Sequence, residues 1–497
     1  MRSLRQGEVW ILAFAVTLGA AVRLASLDHQ SFDHDEAVTA GRVLAPGIRD
    51  TLEVVRDGER SPPLYYLVAW LWSKPFGTGE IGLRSLTALI GGLTVPVAWW
   101  AGRELASPRA GLLAAAFVAV NPCLVWYSQE ARSYSLLVLL TAIAIAALAC
   151  ALRRSETRGI WIWTGASALA LCSHYFAVFV VAPQAALLLA RSGRARARAA
   201  TASAIVVLAG VALLPLALAQ EGGDRRNAFS ERPVAGRLGE SLIQTAAGVE
   251  PRPFAGDARV DALQASMGMS LGAALVGAIA ILVHFGSTRE RGAALVSAMV
   301  VASALLVPAA LALMDVDFLN PRNVIGAVVP LLLLLAVGLG SKRAPRSALA
   351  AAGIWCLLCL GVIVATQVSP QMQRPDWRSV AELIGPAETT RVVVTNANGD
   401  DPLLLYLDRA RRFGARSGPQ AIQACEMVIV STNLRVGSPD GFRLVERQSL
   451  PPWFHVWRHL SPSPRPIDLS VALDESVVSE RSAALVQRRA RRSCDED

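Results

Sequence analysis

Apolar residues along this chain gather in long unbroken runs separated by short charged segments. A bilayer-crossing helix needs about 20 such residues. The pattern predicts eleven spans, at 9–27, 82–102, 110–125, 134–152, 160–172, 175–190, 199–219, 269–285, 293–314, 324–340 and 347–366. The runs at 160–172 and 175–190 are short, with His174 between them, and read as a tight hairpin. A further apolar stretch, Leu64–Phe76, starts after Pro62 and Pro63 and is too short to cross. Its aromatics Tyr65, Tyr66, Trp70 and Trp72, followed by Lys74, suit a helix lying in the membrane interface.

Charge orders the loops. With Leu64–Phe76 lying flat, the loops at 103–109, 153–158, 191–198, 287–292 and 341–346 fall on one side and carry fourteen Lys and Arg. Those at 126–133, 173–174 and 315–323 fall on the other and carry two. Basic loops stay cytoplasmic, so the amino terminus is expected inside and the carboxyl-terminal part outside. The first run is longer than a signal-peptide core and lacks a clear cleavage site, so it reads as a retained anchor.

The outer side then holds a loop at 28–81, a polar loop at 220–268 and a soluble part from about residue 367. In that part 391–395 and 427–431 read as buried strands, 401–408 as a helix and 453–457 as a further strand. The expected fold class is a polytopic α-helical membrane protein with a small carboxyl-terminal extracytoplasmic α/β domain. Its boundaries are 1–367 for the transmembrane module, 368–462 for the α/β domain and 463–497 for a polar tail. The basic run at 488–492 reads as solvated.

Composition agrees. Of 497 residues 53% are hydrophobic and only 18% charged, and the mean hydropathy is +0.41; a water-soluble chain carries about 25% charge. Disordered, collagenous and coiled-coil classes are excluded. On a membrane protein the +9 net charge marks topology, and no nucleic-acid partner is expected. Seven cysteines form no dense framework. Cys356 and Cys359 lie one turn apart inside an apolar run, a poor metal or redox site.

Candidate chemistry falls in the outer loops. The sequence FDHDEA at 32–37 packs Asp33, His34, Asp35 and Glu36 just past the first span. If Asp35 begins a helix, its side chain caps that helix, and Glu36 points about 100° away to a different task. A carboxylate here can take a proton from a bound hydroxyl; a solvated, capped turn accounts for the same residues. Glu130 and Arg132 precede a span, with Tyr127, Gln129 and Tyr134 around them. Charge at membrane depth faces protein or water, and an interfacial ion pair is the plain alternative. Arg322 follows Pro321 at a helix start, where a guanidinium beside free N–H groups suits phosphate; a snorkelling arginine is the alternative. His174, at an outer tip, reads as a structural turn residue or a ligand to substrate. Asp57 and Glu59 read equally as loop solubilisers.

These stretches together resemble the membrane-embedded GT-C glycosyltransferases, in particular the protein O-mannosyltransferase and aminoarabinose transferase group (glycosyltransferase family 39-like). The matching stretches are HDEA at 34–37, SPPLYY at 61–66, LRSLTALIGGLTVP at 83–96, WYSQEARSY at 126–134 and Pro321-Arg322. The likeness covers roughly 1–370 and is strong in the first 150 residues. PDWR at 375–378 also looks like the start of the extracytoplasmic domain of many relatives. Relatives commonly place Tyr after the late arginine, where this chain has Asn323.

The resemblance implies inverting transfer of a sugar from a polyprenyl-phosphate donor to an acceptor hydroxyl on a glycan, lipid or protein, at the outer face of a bacterial cytoplasmic membrane. In that reading Asp35 is the general base and Glu36 and Glu130 orient the acceptor or the arginines. Arg322, and after it Arg132, meets the leaving phosphate. Tyr127, His174 and His34 complete the substrate-binding set. No cofactor is expected; some GT-C enzymes use a divalent metal, and the acidic cluster leaves that question open. The alternative is a transporter or flippase of a lipid-linked or anionic substrate. It fits less well, because the halves do not match and the charges sit at span ends.

Overall fold

The computed structural model describes residues 6–154, 157–220, 232–248, 257–396, 398–413, 421–432, 436–468 and 482–488. The chain divides into two compact units: Met1–Leu27 with Leu44–Met372, and Asp28–Val43 with Gln373–Asp497.

Among its described residues the first unit is helical, and each of the eleven apolar runs falls mainly on one helix or on two helical segments in succession. Among the described residues eight helices are long and apolar enough to cross a membrane. The run at 110–125 is a bent pair, Pro108–Val120 and Pro122–Ser128, meeting at 56°. The two short runs are Thr157–Ser173 and Tyr175–Arg191. Trp163 Nε1 donates to Gln184 Oε1 at 3.2 Å and ties one to the other. Helix Val328–Leu339 is buried along its whole length. A helix apolar on every side belongs at the centre of a bundle. Leu64–Phe76 forms its own 13-residue helix.

The bend has a clear cause. Pro122 has no N–H to give the carbonyl four residues back, that of Val118. The fully buried Arg23 supplies the donors instead, at 2.8 Å to the Val118 carbonyl, 2.8 Å to that of Ala119 and 2.9 Å to that of Gly19. Its Nε also donates to Ser128 Oγ at 3.1 Å. Gly91 makes room for that contact, since a Cβ there would collide with the Ser128 hydroxyl. Asn121 caps the second helix by accepting from Leu124 N at 3.0 Å.

The loops sort into two sets. Arg153 pairs with Glu104 at 2.7 Å, Arg289 donates to the carbonyl of Glu104, and Arg198 donates to Thr157. Glu290, which closes a capping box with Ser287, accepts from Ser341 and from the Lys342 N–H. All five basic loops are thereby joined. At the other set, His174 lies 5.9 Å from the Tyr134 ring, and Phe176 lies 5.5 Å from Phe318. Arg237, from helix Val234–Ala247, pairs with Asp317 at 2.7 Å. The loop expected at 220–268 thus contains a helix, and helix Ala258–Phe285 begins well before residue 269. Residues 221–231 and 249–256 of that loop lie outside the described residues.

The second unit is a six-stranded sheet with helices. Its strands are β1 Arg391–Asn396, β2 Ala410–Arg412, β3 Ala421–Ser431, β4 Arg443–Leu450, β5 Phe454–Asp468 and β6 Ser482–Gln487, in the order β2-β6-β1-β3-β5-β4. β1 and β3 are parallel, with Val393 opposite Val428, and the other pairs are antiparallel. Continuous apolar runs suit strands buried on both faces. Helix Trp377–Ile384 covers one face, with Trp377 4.3 Å from Phe454. Residues 463–497 were expected as a polar tail. The structure differs: β5 continues to Asp468, and β6 pairs with β1 and β2. Ala484, Leu485 and Val486 on β6 are buried, a short apolar run that the polar average around it conceals. Residues 489–492 of the basic run lie outside the described residues.

Segment 28–43, between the first two spans, belongs to this second unit. The Phe32 N–H donates to Tyr406 Oη at 2.8 Å, Ser31 Oγ to the Pro375 carbonyl at 3.0 Å, and Arg374 N to Gln30 Oε1 at 2.9 Å.

Candidate active site

The first unit brings Tyr127, Glu130, Arg132, His174 and Arg322 to the same set of loops. Asn320 accepts from Arg322 N at 3.1 Å, and its carbonyl accepts from Asn323 N at 2.9 Å. Those two N–H groups beside Arg322 are thus already used. This differs from the expectation of free backbone donors beside it.

His174 is buried. Burial first, and then the positive charges of Arg132 and Arg322, pull its pKa down to about 3. Both arginines therefore act on one imidazole, and it stays neutral. Its Nδ1 accepts from Phe176 N at 3.3 Å, which places the ring proton on Nε2. Tyr134 joins His174 to Tyr127, 4.9 Å away ring to ring. Tyr127 Oη accepts from Gln244 Nε2 at 3.0 Å.

Arg132 is held by a residue read in the sequence as a possible solubiliser. Glu59 is buried, and its two oxygens meet Arg132 Nη1 at 3.2 Å and Nη2 at 3.0 Å. Tyr66 Oη donates to the same carboxylate at 2.6 Å. The neighbouring Asp57 is exposed and pairs with Arg56. Periodicity could not separate the two acids, because they lie two residues apart in one polar stretch. The nearby signal was the turn at Pro62 and Pro63, which folds Tyr66 back toward Glu59. Gln244 and Arg237 were missed because they sit in a segment whose average reads as loop.

His34, Asp35 and Glu36 lie in the second unit. The helix there, His34–Val38, is capped by Asp33, which accepts from His34 N at 2.8 Å; Glu36 reaches back to Asp33 N at 3.3 Å. The cap is Asp33 and not Asp35, because the extended backbone ends one turn-start earlier. Asp35 is left on the helix, half-buried. Glu36 is fully buried opposite the buried Arg374 at 3.7 Å. The two adjacent acids therefore stand in different surroundings.

His34 Nδ1 lies 3.7 Å from Asp401 Oδ2. His34, Asp400 and Asp401 offer three ligand atoms within 4.8 Å of one another, the set that could hold a cation. Arg42 pairs with Asp401 at 2.8 Å, and Arg412 pairs with both aspartates. Burial pushes the Asp401 carboxyl up, against the pull of Arg42 and His34. A cation here would compete with two guanidinium groups, so the cluster reads as an ion-pair network.

Residues 60–218 match the family model described as dolichyl-phosphate-mannose-protein mannosyltransferase. No curated protein sequence matches the chain. Among solved structures the chain is similar to ArnT from Cupriavidus metallidurans in the apo state, at 13% identity and a TM-score of 0.57. The match covers 91% of this chain and 98% of that one. ArnT from the same organism bound to undecaprenyl phosphate matches at 13% identity and a TM-score of 0.54, covering 90% and 97%. At such identity the likeness speaks to fold. The chain has the GT-C fold of membrane glycosyltransferases: a multi-pass helical module with a small carboxyl-terminal sheet domain.

Proposed function

We propose that this chain is an inverting glycosyltransferase that moves a sugar from a polyprenyl-phosphate donor to an acceptor hydroxyl. The observation that carries the reading is His174, which feels Arg132 and Arg322 together. Two guanidinium groups from loops far apart in sequence that both act on one neutral imidazole suit a phosphate. A cationic site in a membrane protein of this fold fits a lipid-borne anion, and the ArnT relative has been solved with undecaprenyl phosphate.

In the proposed reaction the acceptor oxygen attacks the anomeric carbon. Its proton passes to Asp35, the general base. The bond from the anomeric carbon to the phosphate oxygen breaks, and its electron pair leaves with polyprenyl phosphate. Arg322 and Arg132 stabilise that growing charge; losing one such fixed donor typically costs about 10²–10³ in rate. The His174 Nε2–H, Tyr127 and Glu130 orient donor and acceptor, and His34 serves the acceptor side. Glu36 acts by holding the Asp35 helix through Arg374.

The joined basic loops carry fourteen cations against two, which supports a cytoplasmic amino terminus and an outward site in a bacterial cytoplasmic membrane. Mass spectrometry of envelope glycans, lipids and glycoproteins with and without the gene tests the reading. A glycoconjugate that disappears with the gene supports it, and an unchanged set of glycoconjugates overturns it.

A further inference from the structure

We propose that Glu59 and Tyr66 are positioning residues that fix the plane of the Arg132 guanidinium for the donor phosphate. The inference rests on the proposed role of Arg132. Neither Glu59 nor Tyr66 needs to touch substrate for it to hold.

Three observations carry it. Glu59 meets Arg132 fork to fork, through both oxygens and both Nη atoms, at 3.2 and 3.0 Å. That pairing sets the orientation of a planar group as a single contact cannot. It uses the Nη edge, so the Nε edge lies outside the Glu59 contact. The second observation is the Tyr66 hydroxyl at 2.6 Å, which fixes Glu59 in turn. Tyr66 is fully buried, and burial chiefly keeps its hydroxyl protonated and therefore a donor. Its ring also lies 5.8 Å from the Arg132 guanidinium carbon. The third is burial itself. Glu59 and Arg132 side chains are 5% and 12% exposed, too enclosed for the loose pairing of a surface ion pair. A buried pair of this kind is poor value as a staple, because desolvation offsets much of the attraction. As an orienting device it is apt, since a guanidinium held in place before the charge develops costs no rearrangement during reaction.

The carboxylate also partly neutralises the arginine, and this separates positioning from simple support. Removing the charge should strengthen the attraction for an anion while loosening its geometry. The test uses the full chain in lipid nanodiscs, titrated with undecaprenyl phosphate, beside product formation in cells that lack the wild-type copy. Glu59→Gln should bind undecaprenyl phosphate about threefold tighter and form about tenfold less product. Tyr66→Phe should change binding less than twofold and lower product about threefold. Weaker binding and less product together in Glu59→Gln, or no change in either readout for both variants, would overturn the proposal. If Glu59→Gln does not fold, Tyr66→Phe decides alone, and product at the wild-type level overturns it. A wild-type chain that fails to bind undecaprenyl phosphate overturns the underlying functional reading instead, which keeps the two failures distinct.

Discussion

Arg23 donates to the Val118 carbonyl, which Pro122 leaves without a backbone donor, at 2.8 Å. A side chain from the first span thus completes the broken helix that leads to Tyr127. Truncation would leave the Val118 and Ala119 carbonyls at the bend without these donors. Each unmet buried group costs about 1–3 kcal/mol. Arg23→Met is expected to lower the thermal midpoint of the purified chain clearly, while Arg23→Lys recovers part of the loss. Equal midpoints in all three would contradict this account of the bend.

Adjacent acids should fail in different ways. Breaking a buried ion pair by removing one partner costs about 3–5 kcal/mol, so Glu36→Ala should lower the stability of the second unit. Asp35→Asn leaves that pair and the Asp33 cap intact and should fold normally while forming no product. Limited proteolysis beside product analysis separates the two. Normal folding in Glu36→Ala, or proteolytic loss in Asp35→Asn, would contradict the assignment.

The helical module was legible because bilayer length and charge asymmetry are properties of whole segments. The helix Leu64–Phe76 and the sorting of loops followed from those patterns. β1 and β3 were legible as continuous apolar runs. β4 was not, because it is an exposed strand whose RLVERQSL sequence carries no buried stripe. β6 is short and lies in a polar average. The capture of 28–43 by the second unit depends on contacts such as Ser31 with Pro375, which local sequence cannot show. In the site, Arg132, Arg322 and His174 stood out as polar residues at span ends. Glu59 did not, because a buried acid and an exposed one look alike until their partners are known.

His174 should leave a distinct pH signature. Its pKa in the folded chain is about 3, below the ordinary 6.5. Below pH 6.5 the unfolded chain takes up a proton that the folded one refuses, so this residue's contribution to stability falls as pH drops toward 3. Thermal midpoints of the wild type should therefore decline more steeply on acidification than those of His174→Gln. Across pH 5–8 undecaprenyl phosphate binding should show no step that depends on His174. A step near pH 6.5 that vanishes in His174→Gln would contradict a neutral imidazole.

Arg322 is assigned to the donor. Arg322→Ala is expected to weaken undecaprenyl phosphate binding at least about tenfold, since a charge-assisted contact contributes roughly 1.5–3 kcal/mol. Raising the salt concentration should weaken the wild type more than this variant. Unchanged affinity in a nanodisc titration would remove Arg322 from the phosphate site.

The most direct measurement concerns Asp35. A strain lacking the gene is supplied with either the wild-type or the Asp35→Asn chain at matched membrane levels, and its envelope glycoconjugates are compared by mass spectrometry. The sugar-bearing species restored by the wild type should be absent with Asp35→Asn, while its lipid-linked precursor accumulates. Restoration of the same species by Asp35→Asn would contradict sugar transfer driven by this carboxylate.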